Sequence, residues 1–386
     1  MKRYTLLILT VLMLAPLLPF AETIDELKEI DEPRFSNALD SLIISSDWVN
    51  DISLGGLHSC AMLDNGAVSC WGYGANGQLG NGGMVNSNTP TPTSSLGPGR
   101  TAVAISSGYV NTCAILDNGA VSCWGNNVYG QVGNGGPSEE MNPTLTSSLG
   151  TNRTAVAISV GKYYACAILD NGAVSCWGDG GVGQLGNGGN ANSNTPTLTS
   201  SLGINRTAVA ISSGDSHTCA ILDNGAVSCW GYNAYGKLGN GGTSNSNTPT
   251  LTSSLGINRT AVAISSGESH TCAILDNGNV SCWGYGNYGQ LGNGVTTNKH
   301  TPTLTSSLGT NRTAVDLSSG KDHTCAILDN GAVSCWGYGG DGRLGNGGTT
   351  NKNTPTLTSS LGTGRTAVSI HLADTYTCAA LDNGAV

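Results

Sequence analysis

One phrase, Cys-Ala-x-Leu-Asp-Asn-Gly, occurs seven times along this 386-residue chain. Its cysteine falls at Cys60, Cys113, Cys166, Cys219, Cys272, Cys325 and Cys378, always 53 residues apart. A fixed period of this size marks a repeat architecture, in which each unit buries its apolar face against the next. The repeat runs without interruption from about Val49 to Val386, so it reads as one domain despite the length.

The unit from Val262 to Val315 contains four short β-prone runs. They are Val262-Ala263-Ile264-Ser265, His270 to Leu275, Val280-Ser281-Cys282-Trp283 and Pro302 to Leu308, separated by Gly- and Asn-rich turns. Four strands in about 50 residues make one propeller blade. A parallel β-helix uses shorter coils, and no helical periodicity supports an α-solenoid. Charged residues are only 11% of the chain and glycine numbers 57, which fits neither a charged disordered chain nor a helical bundle. The expected fold is all-β: a propeller of four-stranded blades, seven in number, over residues 49–386. Six copies are full. The seventh stops at Val386, before the Ser-Cys-Trp-Gly of the others, so the last blade is expected to be incomplete and the record truncated. Asp40 to Asp47 carries a Ser-Leu like the end of a fourth strand and could contribute to that blade.

The turn at Leu275-Asp276-Asn277-Gly278 fits a three-residue hairpin loop, with a left-handed glycine after a type I turn. Counting outward pairs Cys272 with Cys282 at a non-hydrogen-bonded site, where side chains approach closest. The same count pairs Cys60 with Cys70, Cys113 with Cys123, Cys166 with Cys176, Cys219 with Cys229 and Cys325 with Cys335. A ladder of six disulfides is expected, and Cys378 has no mate. Two sulfurs per hairpin, with no second pair nearby in sequence, do not make a zinc site.

The N-terminus predicts where such a ladder would form. Lys2 and Arg3 precede an apolar run from Leu6 to Phe20 and then Ala21, the pattern of a secretory signal over residues 1–21. The run is short for a membrane span of about 20 residues. Residues 22–48 read as an acidic leader, with Ile24, Leu27 and Ile30 spaced for a short amphipathic helix ended by Pro33. Loss of the two positive charges of Lys2 and Arg3 takes the net charge from −9 to −11. Such a chain is a poor ligand for nucleic acid or anionic lipid. Location is expected to be secreted, periplasmic or cell-surface, with no transmembrane helix after signal removal.

The run from Gly267 to Gly294 reads Gly-x-x-His-Thr-Cys-Ala-Ile-Leu-Asp-Asn-Gly-x-Val-Ser-Cys-Trp-Gly-Tyr-x-x-x-Gly-x-Leu-Gly-Asn-Gly. It resembles the repeat of the regulator of chromosome condensation family, and the match covers residues 49–386. That resemblance implies a seven-bladed propeller but no single job, since members range from nuclear exchange factors to photoreceptors and secreted bacterial inhibitors.

Because the units are near-copies, their differences are informative. One set lies after the first strand, at Gly56-Leu57, Tyr109-Val110-Asn111, Lys162-Tyr163-Tyr164, Asp215-Ser216, Glu268-Ser269, Lys321-Asp322 and Asp374-Thr375-Tyr376. The other follows Trp-Gly and includes Asn126 to Tyr129, Tyr232 to Tyr235, Tyr288 and Tyr338 to Asp341. Equivalent loops share one face of a ring, so each set could form a composite binding surface. Tyrosine suits that use, being apolar at one end and polar at the other.

Other recurring residues read as structural. His58, His217, His270 and His323 share one repeat position and lie in separate blades, which suits hydrogen-bonded histidines better than a metal site. Trp71, Trp124, Trp177, Trp230, Trp283 and Trp336 are expected to pack between blades. The Asp-Asn-Gly turns lack calcium-loop spacing. Asn152, Asn205, Asn258 and Asn311 each begin Asn-Arg-Thr, formally an N-glycosylation acceptor.

No catalytic constellation, metal set or cofactor site stands out. The expected function is a non-catalytic, secreted or surface-displayed interaction scaffold, monomeric, that holds a protein or surface ligand and no nucleic acid. Resemblance offers two alternatives: a secreted hydrolase inhibitor, and a guanine-nucleotide exchange factor. An export signal and the lack of any insertion in the 53-residue spacing oppose the second.

Overall fold

The structure, a computed structural model, describes residues 49–386. The signal at 1–21, the leader at 22–48 and the strand reading at Asp40–Asp47 lie outside the described residues. Among the described residues no helix is long and apolar enough to cross a membrane.

The first blade consists of β1 (Val49–Leu54), β2 (His58–Leu63), β3 (Val68–Gly72) and β4 (Ser87–Pro92), antiparallel and paired in chain order. Five further four-stranded sheets repeat that order over residues 102–145, 155–198, 208–251, 261–304 and 314–357. The expectation of seven blades is corrected here. Six four-stranded blades form, and the seventh copy is a two-stranded hairpin of Ala367–Leu372 and Thr377–Leu381. The physical reason is strand supply, since residues 367–386 carry only the first two of the four β-prone runs. The hairpin also packs against the first blade: Ile52 and Leu54 of β1 share a core with Ala373 and Ala380.

In blades two to six the second and third strands are buried along their whole length, because each blade is sandwiched between neighbours. The fourth strand is the exposed edge. It carries a proline at its centre (Pro90, Pro143, Pro196, Pro249, Pro302 and Pro355), which removes an edge donor and blunts pairing with other chains.

Each inner hairpin turns at Asp-Asn-Gly. The Leu275 N–H donates to the Asn279 carbonyl, and Gly278 sits at φ 75°, where a side chain would be strained. This register places Cys272 opposite Cys282, and all six expected disulfides form, with Cα atoms 4.1 Å apart. That separation is close to the ~4.5 Å of a non-hydrogen-bonded antiparallel pair. Cys378 is the free cysteine.

Two of the polar contacts that join the blades come from buried ring side chains. The indole N–H of Trp177 donates to the Gln131 carbonyl of the previous blade at 3.0 Å, and Trp124, Trp230, Trp283 and Trp336 repeat the contact. These five tryptophans are fully buried, whereas Trp71 is half-buried, since the hairpin before it supplies no equivalent loop. The second contact is a latch from the histidine of one blade to the threonine of the next. His58 Nε2 lies 2.7 Å from Thr112 Oγ1, and the pairs His217–Thr271, His270–Thr324 and His323–Thr377 span 2.8–2.9 Å. Burial pushes these imidazoles far below their usual pKa, to about 4 for His58 and about 3 for His270 and His323, so they are neutral.

Candidate interaction face

A four-stranded meander makes its connections at alternating ends. The link from first to second strand and the loop from third to fourth therefore emerge at one end of each blade, here the upper end. The Asp-Asn-Gly turns and the links between blades emerge at the lower end. Both variable sets found in the sequence thus fall on the upper face, and they touch: the rings of Tyr129 and Tyr163 are 5.3 Å apart.

The lower face repeats one device. Arg100 bonds Asp117 at 3.1 Å, and the same pairing recurs at Arg153–Asp170, Arg206–Asp223, Arg259–Asp276, Arg312–Asp329 and Arg365–Asp382. Asn152, Asn205, Asn258 and Asn311 are exposed beside these pairs with φ of 53–56°, a left-handed position that glycine fills in the two other links, at Gly99 and Gly364.

On the upper face, one repeat position supplies a collar around the channel mouth. Its members are Gly56, Tyr109, Lys162, Asp215, Glu268, Lys321 and Asp374, each following a collar glycine or, before Asp374, Ala373. Neighbouring blades pair their charges: Lys162 Nζ lies 3.1 Å from Asp215, and Lys321 Nζ 3.2 Å from Glu268. Burial works against the charge on Lys162, but Asp215 outweighs it and raises the lysine pKa. Burial also raises Asp215 above the ordinary carboxylate value, with Lys162 opposing. Asp374 is pushed up to about 6, first by burial and then by the charges of Asp215 and Glu268.

Tyrosines form two arcs outside the collar. In blades two and three, Tyr109 meets Tyr163 edge-on at 6.1 Å, and Lys162 Nζ sits 5.0 Å from the Tyr109 centroid. In blades four to six, Tyr235, Tyr285, Tyr288 and Tyr338 run in a chain with centroids 4.8, 5.9 and 5.3 Å apart. Two cations underlie this second arc. Lys237 and Arg343 replace the glutamine of Gly-Gln-Leu-Gly; their side chains donate to the carbonyls of Glu268 and Asp374 and lie under Tyr232 and Tyr338. Burial lowers Lys237 to about 8, with Asp215 and Glu268 partly offsetting it.

Of the residues singled out from sequence, Tyr109, Lys162, Asp215, Glu268 and Lys321 are in the collar or on its rim. Tyr129, Tyr163, Tyr235 and Tyr288 belong to the arcs, and Asp322 lies half-buried beside Lys321. Val110 does not fit: its side chain is turned inward and only 7% exposed, while its carbonyl accepts from Asn126 N–H. Sequence reasoning placed Asp374 and Tyr338 in the two variable sets but missed Tyr285, Lys237 and Arg343 as parts of this face. Column-by-column comparison of the repeats carried the signal for the two cations, since glutamine stands at Gln78, Gln131, Gln184 and Gln290.

With this geometry in view, the profile of the RCC1-like domain matches residues 21–379, and the chain belongs to that family. Among curated relatives, it is 31% identical over 296 residues to the ultraviolet-B receptor UVR8 of Arabidopsis thaliana, covering 76% of this chain and 66% of the receptor. It is also 31% identical over 277 residues to the human E3 ubiquitin-protein ligase HERC2, covering 72% of this chain and 6% of the ligase. The chain thus spans less than two thirds of either relative. Among solved structures, yeast RCC1 (Prp20) bound to Kap60 superposes with a TM-score of 0.75 at 20% identity, covering 85% of this chain and 79% of that one. Human WBSCR16 superposes at 0.76 and 20%, covering 86% of each. At that identity the likeness establishes the fold.

Proposed function

We propose that this protein is a non-catalytic interaction scaffold, exported from the cytoplasm, that holds a protein or surface ligand on its upper face. The observation that carries the reading is the placement of divergence. Side chains that differ from blade to blade converge on one end of the ring as a charged collar and two tyrosine arcs, while the other end repeats itself. Clustered tyrosines are typical of protein-contact surfaces. Six disulfides in one chain support residence in an oxidising compartment. The test is capture from native extracellular material on immobilised wild-type protein and on a Tyr129→Ala, Tyr288→Ala double variant. Capture by the wild type that the variant loses supports the reading. Equal capture by both sinks it.

A further inference from the structure

The collar is not evenly matched around its circumference. Two of its carboxylates are spoken for, Asp215 by Lys162 and Glu268 by Lys321. The third, Asp374, makes no ion pair or side-chain hydrogen bond among the described residues. On one side of it stands Lys321 and on the other Gly56, the collar position with no side chain. Tyr109 leans over that gap, so closely that a Cβ on Gly56 would fall 2.2 Å from the ring.

The gap lies in the wall of the central cavity of about 100 Å³, which all seven copies line and to which Gly55, Gly56, Ser107, Tyr109 and Asp374 contribute on this side. Ser107 supplies an independent sign of a missing partner. It is 9% exposed, and its hydroxyl has no hydrogen bond. The equivalent serines do better: Ser213, Ser266 and Ser319 donate to the carbonyls of Ser159, Ser212 and Ser265 at 3.2–3.4 Å. Leaving a buried hydroxyl without a partner is unfavourable, because its hydration is lost and nothing replaces it.

We propose that this cavity receives one cationic tip, the guanidinium or ammonium group of an arginine or lysine side chain presented by a partner protein, entering over Gly56 between Asp374 and Tyr109. This inference rests on the upper-face reading above. The tip donates to the Asp374 carboxylate and to the Ser107 hydroxyl, satisfying both groups in one contact. The volume decides against a whole small molecule, whose sites run to roughly 300–1,000 Å³. Charge decides against an anion, because collar acids outnumber collar lysines by three to two. Lys321 beside Asp374 and Lys162 across the collar from it are held by their own acids, while Asp215 and Glu268 repel its charge. A bound cation relieves that repulsion.

The experiment uses the full chain and N-acetyl-arginine amide, with its citrulline counterpart as the uncharged probe, followed through the amide NMR signals of Gly55, Gly56 and Ser107. A saturable shift with the arginine probe at pH 7.5, and none with citrulline, is the expected result. Asp374→Asn should weaken it about tenfold and Ser107→Ala a few-fold, since charge-assisted bonds are roughly twice as strong as neutral ones. Asp223→Asn on the lower face should leave it unchanged. Absence of a saturable shift, an equal shift with citrulline, or undiminished binding by a folded Asp374→Asn protein would overturn the proposal. Capture of proteins by a wild type that ignores the arginine probe defeats the collar inference and leaves the upper-face reading standing. Probe binding with no protein captured does the reverse.

Discussion

The upper and lower faces of this ring are built from the same seven copies, yet they have diverged unequally. Below, blades two to six and the last hairpin carry the same Arg–Asp pair at the Asp-Asn-Gly turn, about one-third exposed, and the copies differ little. Above, the collar position alone holds glycine, tyrosine, lysine, aspartate and glutamate. Each of these pairs, and the backbone bond from the next blade's first strand to the turn glycine, is the same in every copy that makes it, so the copies need it for the same reason. Upper-face side chains reach into neighbouring blades, as Lys162 does to Asp215, and make a surface that no single repeat contains. Repetition therefore marks where the ring is held together, and divergence marks where it can recognise something else.

That contrast can be broken by separating stability from binding. The largest effect belongs to the latches. The four histidines are neutral when folded, with pKa values depressed by burial, whereas unfolded imidazoles titrate near 6.5. Between pH 6.5 and about 4 the unfolded chain binds more protons, so stability is full above 6.5 and falls as pH falls. At pH 5 each histidine costs about 2 kcal/mol and the four together about 8 kcal/mol, a large part of a domain's stability. Urea melts at pH 7.5 and 5 should show this loss; parallel midpoints would mean the latches are not closed.

Next in size is one disulfide. Replacing Cys219 and Cys229 by alanine should cost about 2–3 kcal/mol by chain entropy, seen in the same melts, with capture unchanged. A smaller change is expected at the lower face: Arg206→Ala should cost about 0–1 kcal/mol and spare capture, because its ion pair is solvent-screened. A larger loss, or lost capture, would give the lower face a role it is denied here. Smallest in stability is Tyr288→Ala, which should stay within about 0.5 kcal/mol while weakening capture at least about tenfold.

Much of this was legible in the sequence, and the reasons are physical. The 53-residue period and the hairpin arithmetic act within a unit, so strand order, turn type and all six cysteine pairs could be counted out along the chain. The number of blades could not, because a blade needs four strands and the seventh copy brings two. Contacts between units were also hidden. Nothing local tells that His217 meets Thr271, 54 residues away, or that Lys237 reaches the carbonyl of Glu268. One pair of substitutions does make sense in retrospect. Where the next blade offers Ala165 in place of threonine, the latch histidine is replaced by Asn111, whose buried amide finds no partner. Val110 misled for the opposite reason: it occupies a variable link, yet its side chain points into the blade.

The most direct test of the two-faced account is site-specific photo-crosslinking in native extracellular material. A photoreactive residue is placed in turn at Tyr288 on the upper face and at Asn224 on the lower, in otherwise unchanged protein. The account predicts partner adducts from the Tyr288 position and none above background from Asn224. Adducts from Asn224 alone, or from both positions equally, would contradict it.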